Sequence, residues 1–333
     1  MSLRISSRAR TALVALFVIS ALPQGKAFQE GRWHGGAQQI ASSHQLTVGG
    51  AALQVDFAAG AIDISEAEFL ARVQKAASAV ALYYGKFPVS RARILIVPVA
   101  GQDGVLQGTT WPNRDGFPAV MRLRIGEHTT RAELTTDWIM THEMVHMALA
   151  SLPDSQAWLE EGLATYVEPI ARAQNGELTP EQIWGDMMRG MPQGEPGPGD
   201  RGMDRTSSWG RTYWGGAMFC LLADVEIHKQ TRNRYGLQDA LRAIVRAGGT
   251  IDSGWTTAKI LEVGDQATDT KVLELTYYQW STAPVPIDLN ALWSTLGVQK
   301  GSGRITFNND APLASIRSSL TVPAAAPMRN TGR

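Results

Sequence analysis

The segment "THEMVHMALASLPDSQAWLEEGLATYVE", residues 141–168, constrains the fold more than any other part of the chain. His142 and His146 are four residues apart, so on a helix they share one face, one turn apart. Two imidazoles placed this way can hold one metal ion. Glu143, rotated by one residue, can then reach a water on that metal without ligating it. A hydrolytic zinc site needs a third protein ligand and an open position. Glu160 and Glu161 offer that ligand on a second helix, which a break at Pro153 lets fold back antiparallel. The pattern therefore demands a helical hairpin. Geometry does not choose between the two glutamates, because neighbouring helical residues point about 100° apart. With six histidines in the chain, a chance H-E-x-x-H is expected in roughly one such sequence in two hundred.

The formal net charge is zero, with 31 basic and 31 acidic side chains, which leaves no electrostatic footprint for nucleic acid or an anionic membrane. Arg4, Arg8 and Arg10 precede an apolar run from Thr11 to Leu22, followed by Gly25 and Ala27. Such a run is too short to span a hydrocarbon layer of about 30 Å as a helix. It has the form of a cleavable secretory signal over residues 1–27, with an uncleaved anchor as the alternative. No later segment is apolar enough to cross a membrane, so no stable insertion is expected after cleavage. The single cysteine, Cys220 in "AMFCLLADV", excludes an internal disulfide and reads as a small buried hydrophobe.

Along the chain, "HQLTVGGAALQVDF" predicts short strands joined by a Gly-Gly turn. In "SEAEFLARVQKAASAVALYYGKF", Phe69, Val73, Ala76, Ala77, Val80 and Tyr84 recur at helical spacing. "RARILIVPVA" predicts a buried strand. "AVMRLRIG" alternates, Arg122 and Arg124 against Leu123 and Ile125, as an edge or half-exposed strand would. Thr130 and Glu133 form a capping-box pattern that opens a helix to Ala150, and a second helix covers "QAWLEEGLATYVEPIARAQ". "RGMPQGEPGPGDRGMDRTSSWG" is an irregular loop, of a length usually tied to function or mobility. The chain from Arg211 to Leu296 reads mainly as helix, and residues 321–333 as a disordered tail.

"HEMVH", fourteen intervening residues and then "EGLATY" resemble the gluzincin clan of zinc peptidases. There the third ligand is the Glu of an E-G-x-x-x-Y-like segment, which implies Glu161 rather than Glu160. "TYWGGAMFCLLADVEIHKQTRNRYGLQDALRAI" is similar to the helix after the zinc site in glycyl aminopeptidases, and "NNDAPLASIRSSL" to the end of their catalytic region. In that clan the Tyr of a Y-x-x-G segment stabilises the oxyanion, a role the resemblance gives to Tyr213, three residues before Gly216. The match covers residues 130–320. Two departures stand out. Gly215 occupies the position of a usual Lys, and no segment like the amine-binding Gly-x-Met-Glu-Asn is present. Glu127 is the nearest carboxylate to that role.

The fold class expected is α+β of thermolysin-like type. A small mixed α/β lobe (residues 45–150) carries the zinc helix, a mainly helical lobe (151–320) follows, and the site lies in the cleft between them. Residues 28–320 would form the peptidase domain. The resemblance implies an exported zinc peptidase, periplasmic or extracellular, acting on peptide or protein substrates. His142, His146 and Glu161 would bind one Zn²⁺, with Glu143 as general base, Tyr213 as oxyanion donor and the substrate lying along "AVMRLRIG". The alternative is a catalytically silent gluzincin-like binding protein of the cell envelope; the intact Glu143 speaks for catalysis. His34, His44, His128 and His228 lack ligand spacing. Arg211 reads as a surface ion pair rather than a carboxylate clamp.

Overall fold

Gly49 and Gly50, with φ of 55° and 83°, make the turn that joins β1 (Ile40–Val48) to β2 (Ala51–Ala58) as an antiparallel pair. The computed structural model describes residues 38–301 and 303–322, so the signal segment and residues 323–333 lie outside it. Ser65 and Glu68 form a capping box that starts α1 (Glu66–Tyr84), and Gly85 ends it in the left-handed conformation. All six apolar positions of the helical pattern in α1 are buried. β3 (Arg91–Val99), β4 (Val105–Arg114) and β5 (Phe117–Gly126) complete a five-stranded sheet in the order β1-β2-β3-β5-β4. β2, β3 and β5 run parallel, and β4 is antiparallel to β5.

The alternation in "AVMRLRIG" is real: Leu123 and Ile125 are fully buried while Arg124 is exposed. Its edge position is not. β5 is paired with β3 on one side and β4 on the other, so it has no free edge to receive a substrate strand. The edge on this side of the sheet is β4, which the sequence does not announce as a strand. Alternation reports which face of a sheet is buried; edge position depends on a partner elsewhere in the chain. Arg122 and Arg124 therefore lie on the face opposite the core residues Leu123 and Ile125.

The single helix expected from Thr130 to Ala150 is two helices. The Thr130–Glu133 capping box does open α2 (Arg131–Thr136), but Asp137 leaves helical geometry with ψ 134°. Its carboxylate then accepts the N–H groups of Ile139 (3.1 Å) and Met140 (2.9 Å), the first two residues of α3 (Ile139–His146). A turn and a 3₁₀ segment, Asp154–Gln156, lead into α4 (Ala157–Gln174). α5 (Pro180–Gly190) precedes the long irregular stretch, which contains only a 3₁₀ turn, Met191–Gly194. A π-helical segment, Arg211–Gly215, runs directly into α6 (Gly216–Gln230).

The remaining helices are α7 (Leu237–Arg246), α8 (Thr257–Thr268), α9 (Val272–Thr282) and α10 (Leu289–Leu296). A small ribbon of β6 (Val298–Lys300) and β7 (Ile305–Phe307) precedes α11 (Ala314–Thr321). The described residues from Gln39 onward form one compact unit. Cys220 is buried, as expected. No helix of the described residues is long and apolar enough to cross a membrane.

Candidate metal centre and active site

α3 and α4 form the hairpin that the sequence demands. His142 and His146, one turn apart on α3, meet Glu161 on α4. The Glu161 Oε2 lies 3.1 Å from His142 Nε2 and 3.5 Å from His146 Nε2. One ligand atom from each residue lies within 4.8 Å of the other two. Ligands about 2.1 Å from a tetrahedral zinc are about 3.4 Å apart, so two imidazoles and a carboxylate at these separations suit that ion. The electrostatics agree. Burial works to lower the His146 imidazolium, but the Glu161, Glu143 and Glu160 carboxylates together outweigh it and lift the group to about 9. Burial would raise Glu161, yet His146 and His142 hold it well below the usual carboxylate range.

Glu160 takes no part in the cluster. Its carboxylate accepts the backbone N–H of Leu152 and so braces the turn between the two helices. It is therefore neither solvent-facing nor a ligand in this arrangement. Burial raises its pKa.

Glu143, 8% exposed, points toward the sheet edge. Thr110 of β4 donates its hydroxyl to Glu143 Oε2 at 2.8 Å. A Cβ at Gly108, two residues earlier, would stand 2.4 Å from Glu143 Cγ. Gly108 and Thr110 are one strand period apart, and β4 thus makes room for the carboxylate and fixes its position. Neither residue carries a sequence signal, because their partner lies more than thirty residues away.

Tyr213 stands on the π segment before α6. Such segments, with their shifted register, recur at functional sites. Its ring stacks on His142 at 6.2 Å between centroids, with the planes 23° apart. Burial, the nearby Glu161 and Glu143 carboxylates, and a hydrogen bond to Glu161 hold its phenol in the protonated form. Two motif glycines explain how it arrives there. A Cβ at Gly162, beside Glu161, would lie 2.2 Å from the Gly216 Cα, so the α4 and α6 backbones touch where neither residue has a side chain.

Other expectations resolve differently. Arg211 is 3% exposed and pairs with the buried Asp200 at 2.8 Å, so it is an internal brace rather than a surface pair. Glu127 accepts the Gly101 N–H at 2.9 Å. His44 meets Glu66, His128 meets Asp63 and His228 meets Asp224; His34 lies outside the described residues.

Sequence reasoning also missed a buried ionic network behind the hairpin. Arg72 of α1 donates to the Leu134 and Asp137 carbonyls and to Glu177, which also faces Arg172 of α4 at 3.6 Å. Arg172 in turn pairs with Glu168 at 2.8 Å. The only local signal is the i, i+4 spacing of Glu168 and Arg172.

Among solved structures, the fold is similar to that of an aminopeptidase N family protein from Idiomarina loihiensis. The TM-score is 0.52 at 14% identity, over 78% of this chain and 49% of that one. An M1 zinc metallopeptidase from Deinococcus radiodurans aligns with a TM-score of 0.45 at 16% identity, over 75% of this chain and 54% of that one. This chain spans about half the length of these two proteins. At such identities the likeness is one of fold. No family model matches the sequence, and no curated protein does.

Proposed function

We propose that this chain is an exported, zinc-dependent peptidase of gluzincin type that hydrolyses peptide bonds with an activated water. The observation that carries the reading is the convergence of His142, His146 and Glu161 on one point, with Glu143 on the same helix as the two imidazoles. The fold it shares with an aminopeptidase N family protein is consistent with this. In this reading His142, His146 and Glu161 hold Zn²⁺.

Zinc, when bound, lowers the pKa of a coordinated water to about 7 and polarises a carbonyl. Glu143, held by Thr110, takes the proton of the attacking water and delivers it to the leaving amine. Tyr213, protonated and adjacent to the cluster, donates to the developing oxyanion. The substrate runs along β4, the edge strand beside Glu143, and adds to the sheet as one more strand.

The test is metal content together with turnover on a peptide library, using the purified full chain. About one Zn²⁺ per chain and cleavage that stops on chelation are expected. A protein with neither zinc nor turnover overturns the reading. Export rests on the sequence of residues 4–27, outside the described residues. The N-terminus recovered from the secreting host should begin near residue 28, and a chain starting at Met1 in the membrane fraction would favour the anchor instead.

A further inference from the structure

Tryptophan is normally well covered in a folded protein, since its large apolar surface is costly to leave in water. The chain has ten tryptophans, one of which, Trp33, lies outside the described residues. Among the other nine, seven are buried or half-buried and two are exposed: Trp138 at 48% and Trp209 at 54%. Both touch the candidate site. Trp138 meets the His142 ring edge-on at 5.2 Å and 89°. Trp209 lies nearly parallel to Tyr213 at 5.6 Å and 25°, and Tyr213 lies nearly parallel to His142. The four rings form one row, with an exposed indole at each end and the proposed metal-binding and oxyanion-binding residues between them.

We propose that Trp138 and Trp209 are specificity-determining residues that each seat an aromatic side chain of a peptide substrate, one on either side of the bond to be cut. This rests on the peptidase reading above. Exposed apolar surface concentrated at one place marks a binding site, and the ring geometry narrows what fits there. Trp209 already has one face on Tyr213, and a flat ring laid against the indole continues the stack. At the other end of the row Trp138 offers its indole beside His142, suited to an edge-to-face contact with a second aromatic side chain. Neither indole N–H has a protein acceptor among the described residues, so each ring also keeps a donor free for the substrate backbone. An aliphatic side chain would gain only surface burial, and a charged one would lose water without a partner.

The experiment has a binding arm and a cleavage arm, both with the full chain. In the first, Glu143→Gln protein, loaded with zinc, is titrated calorimetrically with N-acetyl-Ala-Phe-Ala amide and with the all-Ala equivalent. Tighter binding of the Phe peptide by about tenfold is expected, with the gain lost on adding Trp209→Ala and largely kept on adding Trp209→Phe. In the second, kcat/KM is compared across peptides that differ only in the residue on either side of the scissile bond. An aromatic preference should fall in Trp138→Ala and Trp209→Ala while zinc content is retained.

Cleavage with no aromatic preference, and equal binding of the two peptides, overturns the subsite but leaves the peptidase reading intact. Selective binding of the Phe peptide that needs Trp209, without any cleavage, supports the subsite and removes the catalytic claim. Equal or absent binding without cleavage removes both.

Discussion

The two sides of the candidate site are built on different principles. On the sheet side, Glu143 is 8% exposed, takes a hydrogen bond from Thr110 and lies in the space left by Gly108, while Asp137 caps its helix. On the helical side, Tyr213 rides on a π segment that follows a long irregular stretch, with the half-exposed Trp209 beside it. The first side is fixed by contacts with residues distant in sequence; the second is fixed by the glycine-to-glycine crossing and the buried Arg211–Asp200 pair, and Trp209 is left exposed on it. The contrast suggests a division of labour. The sheet side holds the groups that must not move during proton transfer, and the helical side presents the surface that meets different substrates.

The largest effect should come from the residue that joins the sides. Glu161 contacts both imidazoles, and its charge helps to hold the Tyr213 phenol protonated. Glu161→Gln is expected to lose most of its zinc on dialysis, measured by elemental analysis, whereas Glu160→Gln, which disturbs only the Leu152 contact, should keep it. The opposite ranking would mean that the third ligand is one residue earlier than the geometry indicates.

Next come the two groups that act without ligating. Glu143→Gln cannot accept the proton and should reduce kcat about 10²–10⁴-fold; Tyr213→Phe removes one oxyanion donor and should cost about 10²–10³-fold. Both should retain zinc and leave KM nearly unchanged, because these contacts strengthen in the transition state. Wild-type kcat in Tyr213→Phe would end the catalytic claim for the helical side and leave it a binding surface only.

How much of this was legible follows the same divide. The spacing of His142 and His146 and the glutamate pair after Pro153 announced the hairpin, since helical faces repeat locally. The capping boxes at Ser65 and Thr130 were in the sequence too, and only the second helix start, at Asp137, was hidden inside a continuous helical pattern. The choice of Glu161 came from resemblance, and the contact of Gly162 with Gly216 now gives that E-G pair a physical basis. The seat of Glu143 on β4 was invisible, because strand order is decided by pairing at long range. The exposure of Trp138 and Trp209 was equally hidden, although each stands four residues before a site residue and so shares its helical face.

The smallest expected effect concerns the network behind α3 and α4, and it asks whether the sheet side owes its rigidity to charge. The network pairs two carboxylates, Glu168 and Glu177, with two guanidiniums, Arg72 and Arg172. Burial raises the Glu168 carboxyl to about 7 despite the Arg172 pair, so the folded state takes up a proton more readily than the unfolded chain, whose carboxyl titrates near 4.5. With more protons bound in the native state, stability falls as pH rises from 4.5 through 7 and is flat for this group beyond. The loss should be roughly 1–3 kcal/mol. It is measured as the difference in urea unfolding free energy between pH 5 and pH 8, in wild type and Glu168→Gln. The variant cannot ionise at this position and should show a shallower fall than wild type. If the two proteins have the same pH slope, Arg172 keeps Glu168 ionised throughout, and the network is a balanced set of ion pairs in which no proton is taken up on folding.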